Sequence, residues 1–146
     1  MLLQEYLKTM DLDLLETGIP LIDRQHAAYE ELTGRALLLC AESRVPLKTL
    51  AQEVDQVRTY ALDHFDCEEQ LMRNAGYPQL KAHAAQHAIF RDQCETLAAE
   101  LTTPPLASDF PTRLSRLLVD WFCRHVQTED MKLAAFIREH APSHVS

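Results

Sequence analysis

Apolar residues recur every three or four positions through four long segments of the chain. The last segment shows the pattern at Leu114, Leu117, Leu118, Trp121 and Phe122. This spacing predicts helices with one apolar face, because an α-helix has about 3.6 residues per turn. The predicted helices span residues 20–42, 46–74, 78–102 and 110–138.

Prolines and glycines mark the ends of these helices. Pro20 suits a first helical turn, and Gly76 suits a left-handed C-cap. Short connections between the first three helices predict antiparallel neighbours. We therefore expect an all-α fold, an up-down-up-down four-helix bundle in one domain of 146 residues, with an N-terminal arm (1–18), a bundle (19–138) and a polar tail (139–146). The arm carries a possible short amphipathic helix with Leu3, Leu7 and Met10.

Composition narrows the class of protein. Hydrophobic residues make up 47% and charged residues 25%, which is not the composition of a disordered chain. The net charge of −8 argues against nucleic-acid partners and against an anionic membrane surface. The sequence shows no signal peptide and no apolar run of about 20 residues, so we expect a soluble, cytoplasmic protein. The four cysteines form no CxxC pair and are expected to be reduced thiols.

Three pairs of histidines and acids stand four or five residues apart. His64 and Glu68 are four residues apart, as are His83 and His87, and four residues rotate a helix by about 400°, so each pair shares a face. His125 and Asp130 are five apart, which puts them about 140° from each other on an ideal helix. That pair can meet at one centre only with a local distortion such as a π-bulge.

Counting from the turns predicts that these residues lie at one height. His26 lies 18 residues before the first turn, and His64 lies 20 residues after it. Equal counts from a turn mean equal heights in antiparallel helices, at about 1.5 Å per residue. The same count around the later turns brings in the other candidates, so seven residues converge on one level: His26, His64, Glu68, His83, His87, His125 and Asp130.

Five imidazoles and two carboxylates suit a pair of first-row metal ions. Imidazole favours iron, zinc, copper or nickel, and a carboxylate can bridge two ions. Buried acids are costly unless they are paired or bound to metal. Two Fe(II) ions carry four positive charges, of which Glu68, Asp130 and a bridging hydroxide would neutralise three.

The residues that form this set resemble the hemerythrins, specifically the bacterial single-domain hemerythrins. The resemblance runs from Gly18 to about Ile137. The matching stretches are Gly-Ile-Pro-Leu-Ile-Asp-Arg-Gln-His (18–26), His-Phe-Asp-Cys-Glu-Glu-Gln-Leu-Met (64–72), Gly-Tyr-Pro with His-x-x-x-His (76–87), and Trp-Phe-x-x-His-Val with Asp130 five residues on.

This resemblance implies a role for each ligand. The cofactor would be two iron ions joined by an oxo or hydroxo bridge, without haem. The six-coordinate iron would be held by His83, His87 and His125, and the open iron by His26 and His64. Glu68 and Asp130 would be the bridging carboxylates.

The function implied is reversible O2 binding at the open iron, for storage, delivery or sensing. This function involves no catalysis, and the identity of any electron donor or O2-consuming partner is unknown. The O2 pocket would be lined by Tyr29, Phe65, Trp121, Phe122 and Val126. The family usually has Leu where this chain has Tyr29 and Phe122. These aromatic rings either fill the core differently or place a phenol that donates a hydrogen bond or an electron near bound O2.

Several alternatives remain open at this point. Glu30 is either a surface or supporting residue or an eighth ligand, Cys67 either a buried inert thiol or a redox-active thiol, and Asp23 a helix-start residue or a support for a ligand. His140 and His144 are expected to be solvated in the tail. The runner-up function is a di-iron redox centre acting on peroxide or nitric oxide, followed by a metal store or zinc bundle and by a sensory module. A ferritin-like centre is disfavoured because the sequence has no Glu-x-x-His.

Overall fold

The computed structural model describes residues 16–42 and 44–140 of the chain. Three uninterrupted helices come first: α1 (Pro20–Ala41), α2 (Leu47–Ala75) and α3 (Leu80–Glu100). A fourth helix, α4, covers residues 110–140. The predicted all-α four-helix bundle is therefore confirmed. The predicted arm helix with Leu3, Leu7 and Met10 lies outside the described residues, and so does His144.

Two π-helical segments interrupt α4. Its α-helical parts are Phe110–Ser115, Phe122–His125 and Met131–His140, and its π-helical parts are Arg116–Trp121 and Val126–Asp130. The second π segment covers the five-residue step from His125 to Asp130, which confirms the distortion predicted there. The first π segment was not predicted. In a π turn the hydrogen bond joins residues five apart, so Asp130 returns to the face of His125.

The helix ends follow the local sequence closely. Gly76 adopts the left-handed conformation (φ 67°, ψ 38°), and the Tyr77 amide donates to the Met72 carbonyl at 2.9 Å, as expected for a glycine C-cap. α3 begins at Leu80 rather than at Pro78, because residues 77–80 form a turn closed by the Leu80 amide. α4 continues to His140, two residues beyond the predicted end at 138.

Contacts between the helices show that neighbours run antiparallel. Between α1 and α4, His26 contacts Asp130, and Tyr29, one turn further along α1, contacts Leu118 earlier in α4. Between α3 and α4, Gln86 contacts His125, and Glu100 near the end of α3 pairs with Arg113 near the start of α4. In both pairs of helices, residue numbers rise along one helix as they fall along the other.

The apolar interior has two parts, separated by a layer of polar side chains. On α2, Phe65 belongs to the larger apolar cluster and Met72 to the smaller one, and Glu68 lies between them. On α4, Val126 and Leu133 belong to the two clusters in the same way, with Asp130 between them. The polar layer is therefore closed above and below by apolar packing.

The chain segment that leads into α1 is held by two charged side chains. The Asp23 carboxylate accepts hydrogen bonds from the amide and hydroxyl of Thr17 at 2.7 and 2.8 Å, and from the amide of Gly18 at 3.1 Å. The Arg138 guanidinium donates to the Thr17 carbonyl. Asp23 therefore acts at the start of the helix. None of the described helices is long and apolar enough to cross a membrane.

Candidate metal centre

The polar layer contains all seven residues that the sequence singled out as ligands, and each is at most 2% exposed. Their nitrogen and oxygen atoms form two overlapping groups within 4.8 Å. One group contains three histidines (His83, His87 and His125), and the other contains two (His26 and His64). Glu68 and Asp130 belong to both groups. The structure thus brings together side chains from all four helices.

Each carboxylate places one oxygen toward each histidine group. Oε1 of Glu68 lies 3.1 Å from Nε2 of His87, and Oε2 lies 3.1 Å from Nε2 of His64. Oδ1 of Asp130 lies 3.1 Å from Nε2 of His83, and Oδ2 lies 3.1 Å from Nε2 of His26. This division is the arrangement of a carboxylate that bridges two cations.

The distances between donor atoms suit cations of the first transition row. Metal–ligand bonds of about 2.0–2.1 Å place neighbouring ligands of an octahedron about 3 Å apart. Besides the carboxylate contacts, Nε2 of His87 and Nε2 of His125 lie 3.2 Å apart. Both oxygens of Glu68, Oδ1 of Asp130 and Nε2 of His83 are buried and lack a partner in good hydrogen-bond geometry. Buried polar atoms without partners are costly, so the donor set fits bound metal.

The electrostatics of the metal-free cluster favour charged carboxylates. Burial alone would raise the pKa of Glu68, but the positive charge of His64 and contacts with neighbouring histidines hold it well below its ordinary value. The pKa of Asp130 is lowered by its own histidine contacts, against burial and the charge of Glu68. Burial would lower the pKa of His83, but contacts with both carboxylates raise it to about 9. A proton on His83 therefore offsets part of the charge of the acids where no cation is bound.

The chain matches the family model of the hemerythrin HHE cation-binding domain over residues 17–137. It belongs to the hemerythrin family. Among curated proteins, a bacteriohemerythrin of Stenotrophomonas maltophilia is 29% identical over 128 residues, which cover 88% of this chain and 80% of that protein. A bacteriohemerythrin of Pseudomonas paraeruginosa is 30% identical over 118 residues, or 81% and 74% of the two chains. No solved structure matches the chain.

Three polar side chains support the histidines of this hemerythrin centre, and the sequence reasoning missed them. Gln25 accepts a hydrogen bond from Nδ1 of His64 at 2.7 Å. Glu69 accepts a hydrogen bond from Nδ1 of His87 on α3, and Gln86 accepts one from Nδ1 of His125 on α4. Such bonds fix the ring tautomer with its proton on Nδ1, which leaves Nε2 free to bind metal. Each of the three residues is the chain neighbour of a predicted ligand, and that adjacency is the signal that could have identified them.

Aromatic rings cover the two groups differently. Phe65 stacks on His87 with centroids 4.0 Å apart, and Trp121 stacks on His125 at 4.9 Å. Phe122 instead meets His26 edge-on at 5.5 Å, on the side of the two-histidine group. The remaining predicted pocket residues, Tyr29 and Val126, are fully buried in the same apolar cluster.

Tyr29 packs against Phe122. Its ring stacks on Phe122 with centroids 3.8 Å apart, and its hydroxyl donates to the Leu118 carbonyl at 2.7 Å. Burial raises the pKa of Tyr29 well above its ordinary value, although the neighbouring Thr33 hydroxyl opposes the shift. A phenol has one proton to donate, and Leu118 receives it. In this arrangement the hydroxyl is not a donor to a ligand at the centre.

The other candidates from the sequence lie outside the two ligand groups. Cys67 is a half-buried free thiol, and Glu30 is not part of either group. His140 is exposed, and its Nδ1 donates to the Phe136 carbonyl within α4. All four cysteines are free, as predicted.

Proposed function

We propose that the protein holds two iron ions and binds O2 reversibly at the ion held by His26 and His64. The observation that carries this proposal is the division of the carboxylate oxygens between a group of five donor residues and a group of four. Glu68 and Asp130 are counted in both groups, as bridging ligands would be. The two groups therefore differ by one donor, and the smaller group retains a position for an added ligand.

The chemistry of the donor set supports iron at both positions. Imidazole and carboxylate together suit Fe. The two groups contain no thiolate. An oxo or hydroxo bridge would add one donor to each group, giving six and five. Two Fe(II) ions held by these residues would supply the two electrons that reversible O2 binding requires.

The chain's own residues control access to the two-histidine group. The ring of Phe122 packs nearly perpendicular to that of His26 with centroids 5.5 Å apart, and its centroid lies 6.4 Å from that of His64. Phe122 and Tyr29 are fully buried, so the surroundings of this group are apolar. An apolar, water-poor site would keep solvent from promoting side reactions of a bound ligand. In this proposal the protein is a binding protein and not an enzyme.

An absorption spectrum of anaerobically reduced, iron-loaded protein tests the proposal. A charge-transfer band that appears on admitting air and vanishes on degassing supports reversible binding. An irreversible change to a diferric spectrum favours the redox chemistry on peroxide or nitric oxide that is the alternative. Purified protein that holds zinc and no iron overturns both.

A further inference from the structure

Three hydrogen bonds connect the helices in sequence around the centre. Gln25, beside His26 on α1, bonds to His64 on α2. Glu69, beside Glu68 on α2, bonds to Nδ1 of His87 on α3 at 2.8 Å. The third bond has the same form and runs from His125 on α4 to Gln86, beside His87 on α3, at 3.0 Å. Each supporting residue is thus one position away from a ligand on its own helix.

One of these three acceptors is an acid. Gln25 and Gln86 offer a neutral amide oxygen, whereas Glu69 offers a carboxylate oxygen to His87. The Glu69 side chain is 19% exposed, so water screens its charge only in part. A hydrogen bond to a charged acceptor is stronger than one to a neutral acceptor and makes the imidazole a better electron donor.

The charge of Glu69 also changes the net charge of the centre. Two Fe(II) ions with Glu68, Asp130 and a bridging hydroxide leave one positive charge. The carboxylate of Glu69 neutralises it, and it does so on the side of the three-histidine group. The negative charge is therefore placed next to one of the two ions rather than shared between them.

We propose that Glu69 is a positioning residue that acts through His87. It holds the ring with Nε2 toward Glu68, and its charge stabilises Fe(III) relative to Fe(II) at the ion held by His83, His87 and His125. This inference rests on the two irons of the proposed function. The electron step involved is the one-electron change between Fe(III) and Fe(II), and no covalent bond is made or broken at Glu69.

The test is an anaerobic redox titration of the iron-loaded protein with dithionite as the electron donor. Glu69→Gln keeps an acceptor oxygen of the same size but removes the charge. We expect the reduction potential of one of the two couples to rise by about 59 mV, which is a tenfold loss of preference for Fe(III) in a one-electron couple. A merely structural role for Glu69 would leave the potential unchanged.

Two further variants separate this effect from general surface charge. Asp66→Asn removes an acid from the exposed face of the same helix, and it should leave the potential unchanged. Adding Gln86→Glu to Glu69→Gln moves the carboxylate from His87 to His125, which belongs to the same metal group. This double variant should return the potential toward the native value. A Glu69→Gln potential equal to that of Asp66→Asn, or a double variant that stays at the single variant's potential, overturns the proposal.

Zinc titrations of the metal-free variants provide a second measurement that needs neither iron nor O2. Loss of a side chain that supports a ligand typically weakens metal binding by about 10–100-fold. We expect Glu69→Ala, which removes the acceptor oxygen, to show such a loss, whereas unchanged zinc affinity in Glu69→Ala contradicts the positioning role. If the protein takes up iron but shows no reversible O2 band, the proposed function fails while both titrations still decide the role of Glu69.

Discussion

Tyr29 stacks flat on Phe122, with ring centroids 3.8 Å apart and planes 22° apart, and its hydroxyl is bound to the Leu118 carbonyl. Tyr29→Phe keeps the stack and removes the hydrogen bond. We expect the free energy of unfolding to fall by about 1–3 kcal/mol, because a buried carbonyl loses its partner. The lifetime of the oxygenated protein should not change. Urea unfolding and the decay of the absorption band measure the two effects.

Tyr60→Phe is the matched control for that variant, because Tyr60 is half-buried on α2 and makes no contact with Phe122 among those described. A shorter lifetime of the oxygenated form in Tyr29→Phe, but not in Tyr60→Phe, would show that the phenol acts on the bound ligand. It would then support the interpretation from the sequence in which the phenol donates a hydrogen bond or an electron to O2.

His64→Ala should reduce the number of bound metal ions from two to one. The change takes one donor from the two-histidine group and leaves the three-histidine group with all of its five residues. Metal analysis of the reconstituted protein measures the stoichiometry. His140→Ala, which removes an exposed histidine outside the cluster, should still bind two ions. Two ions retained by His64→Ala would contradict the assignment.

The metal-free protein should lose stability between pH 6.5 and about 9. The pKa of His83 rises from 6.5 to about 9 on folding, so the stability gained is complete below pH 6.5 and is lost as pH rises through 9. The shift corresponds to at most about 3–4 kcal/mol, since one pKa unit is worth about 1.4 kcal/mol. Urea unfolding at pH 6, 7.5 and 9.5 with a chelator measures it.

Metal-loaded protein is the control for this pH dependence. A bound cation replaces the proton on His83, so the loss above pH 6.5 should disappear. Below pH 4 both forms should weaken, because Glu68 and Asp130 have lowered pKa values and their stabilising charge is lost on protonation. The same decline above pH 6.5 with and without metal would refute this explanation.

Gly18→Ala should destabilise the protein more than Gly76→Ala. Both glycines have positive φ, 86° and 67°, so each substitution strains the backbone by about 1 kcal/mol. A Cβ at Gly18 would also lie 2.8 Å from the guanidinium nitrogen of Arg138 that donates to the Thr17 carbonyl, so this side chain would have to move and give up that bond, whereas a Cβ at Gly76 meets no atom within 4 Å. Thermal unfolding compares the two variants.

Arg138→Ala tests the steric part of that difference. In its background the added methyl group at residue 18 meets no guanidinium, so the extra cost of Gly18→Ala over Gly76→Ala should vanish. An extra cost that persists in the Arg138→Ala background would place the strain in the backbone of Gly18 alone.

The sequence predicted the level of the cluster along the bundle axis, because the number of residues between each ligand and the nearest turn determines that level. Counts from the turns place His26 level with His64 in any antiparallel pair, whatever the detailed packing. The step from His125 to Asp130 also carried its own constraint, since only a distorted helix brings residues five apart to one centre. The π segment Arg116–Trp121 carries no such pair of residues, so nothing in the sequence indicated it.

The supporting residues were not predicted because they lie beside the ligand face rather than on it. Gln86 is rotated by about 100° from His87, and that position usually means a partly exposed side chain. Whether such a side chain turns inward depends on its rotamer and on the neighbouring helix, here at His125. The same holds for Tyr29, where the sequence identified the ring but not the carbonyl that receives its proton.

The π segment Val126–Asp130 makes this centre depend on chain length as well as on residue identity. A designer who copied the seven side chains onto regular helices would leave Asp130 facing away from His125. Deleting one exposed residue within the segment, such as Gln127 or Thr128, would put the two ligands four residues apart, a spacing that a regular α-helix presents on one face, so the segment should become α-helical and the ligands stay together. Transplanting the site into another bundle therefore requires either a π segment or a four-residue spacing at this pair, and searches that assume four-residue ligand spacing on every helix will overlook proteins built in this way.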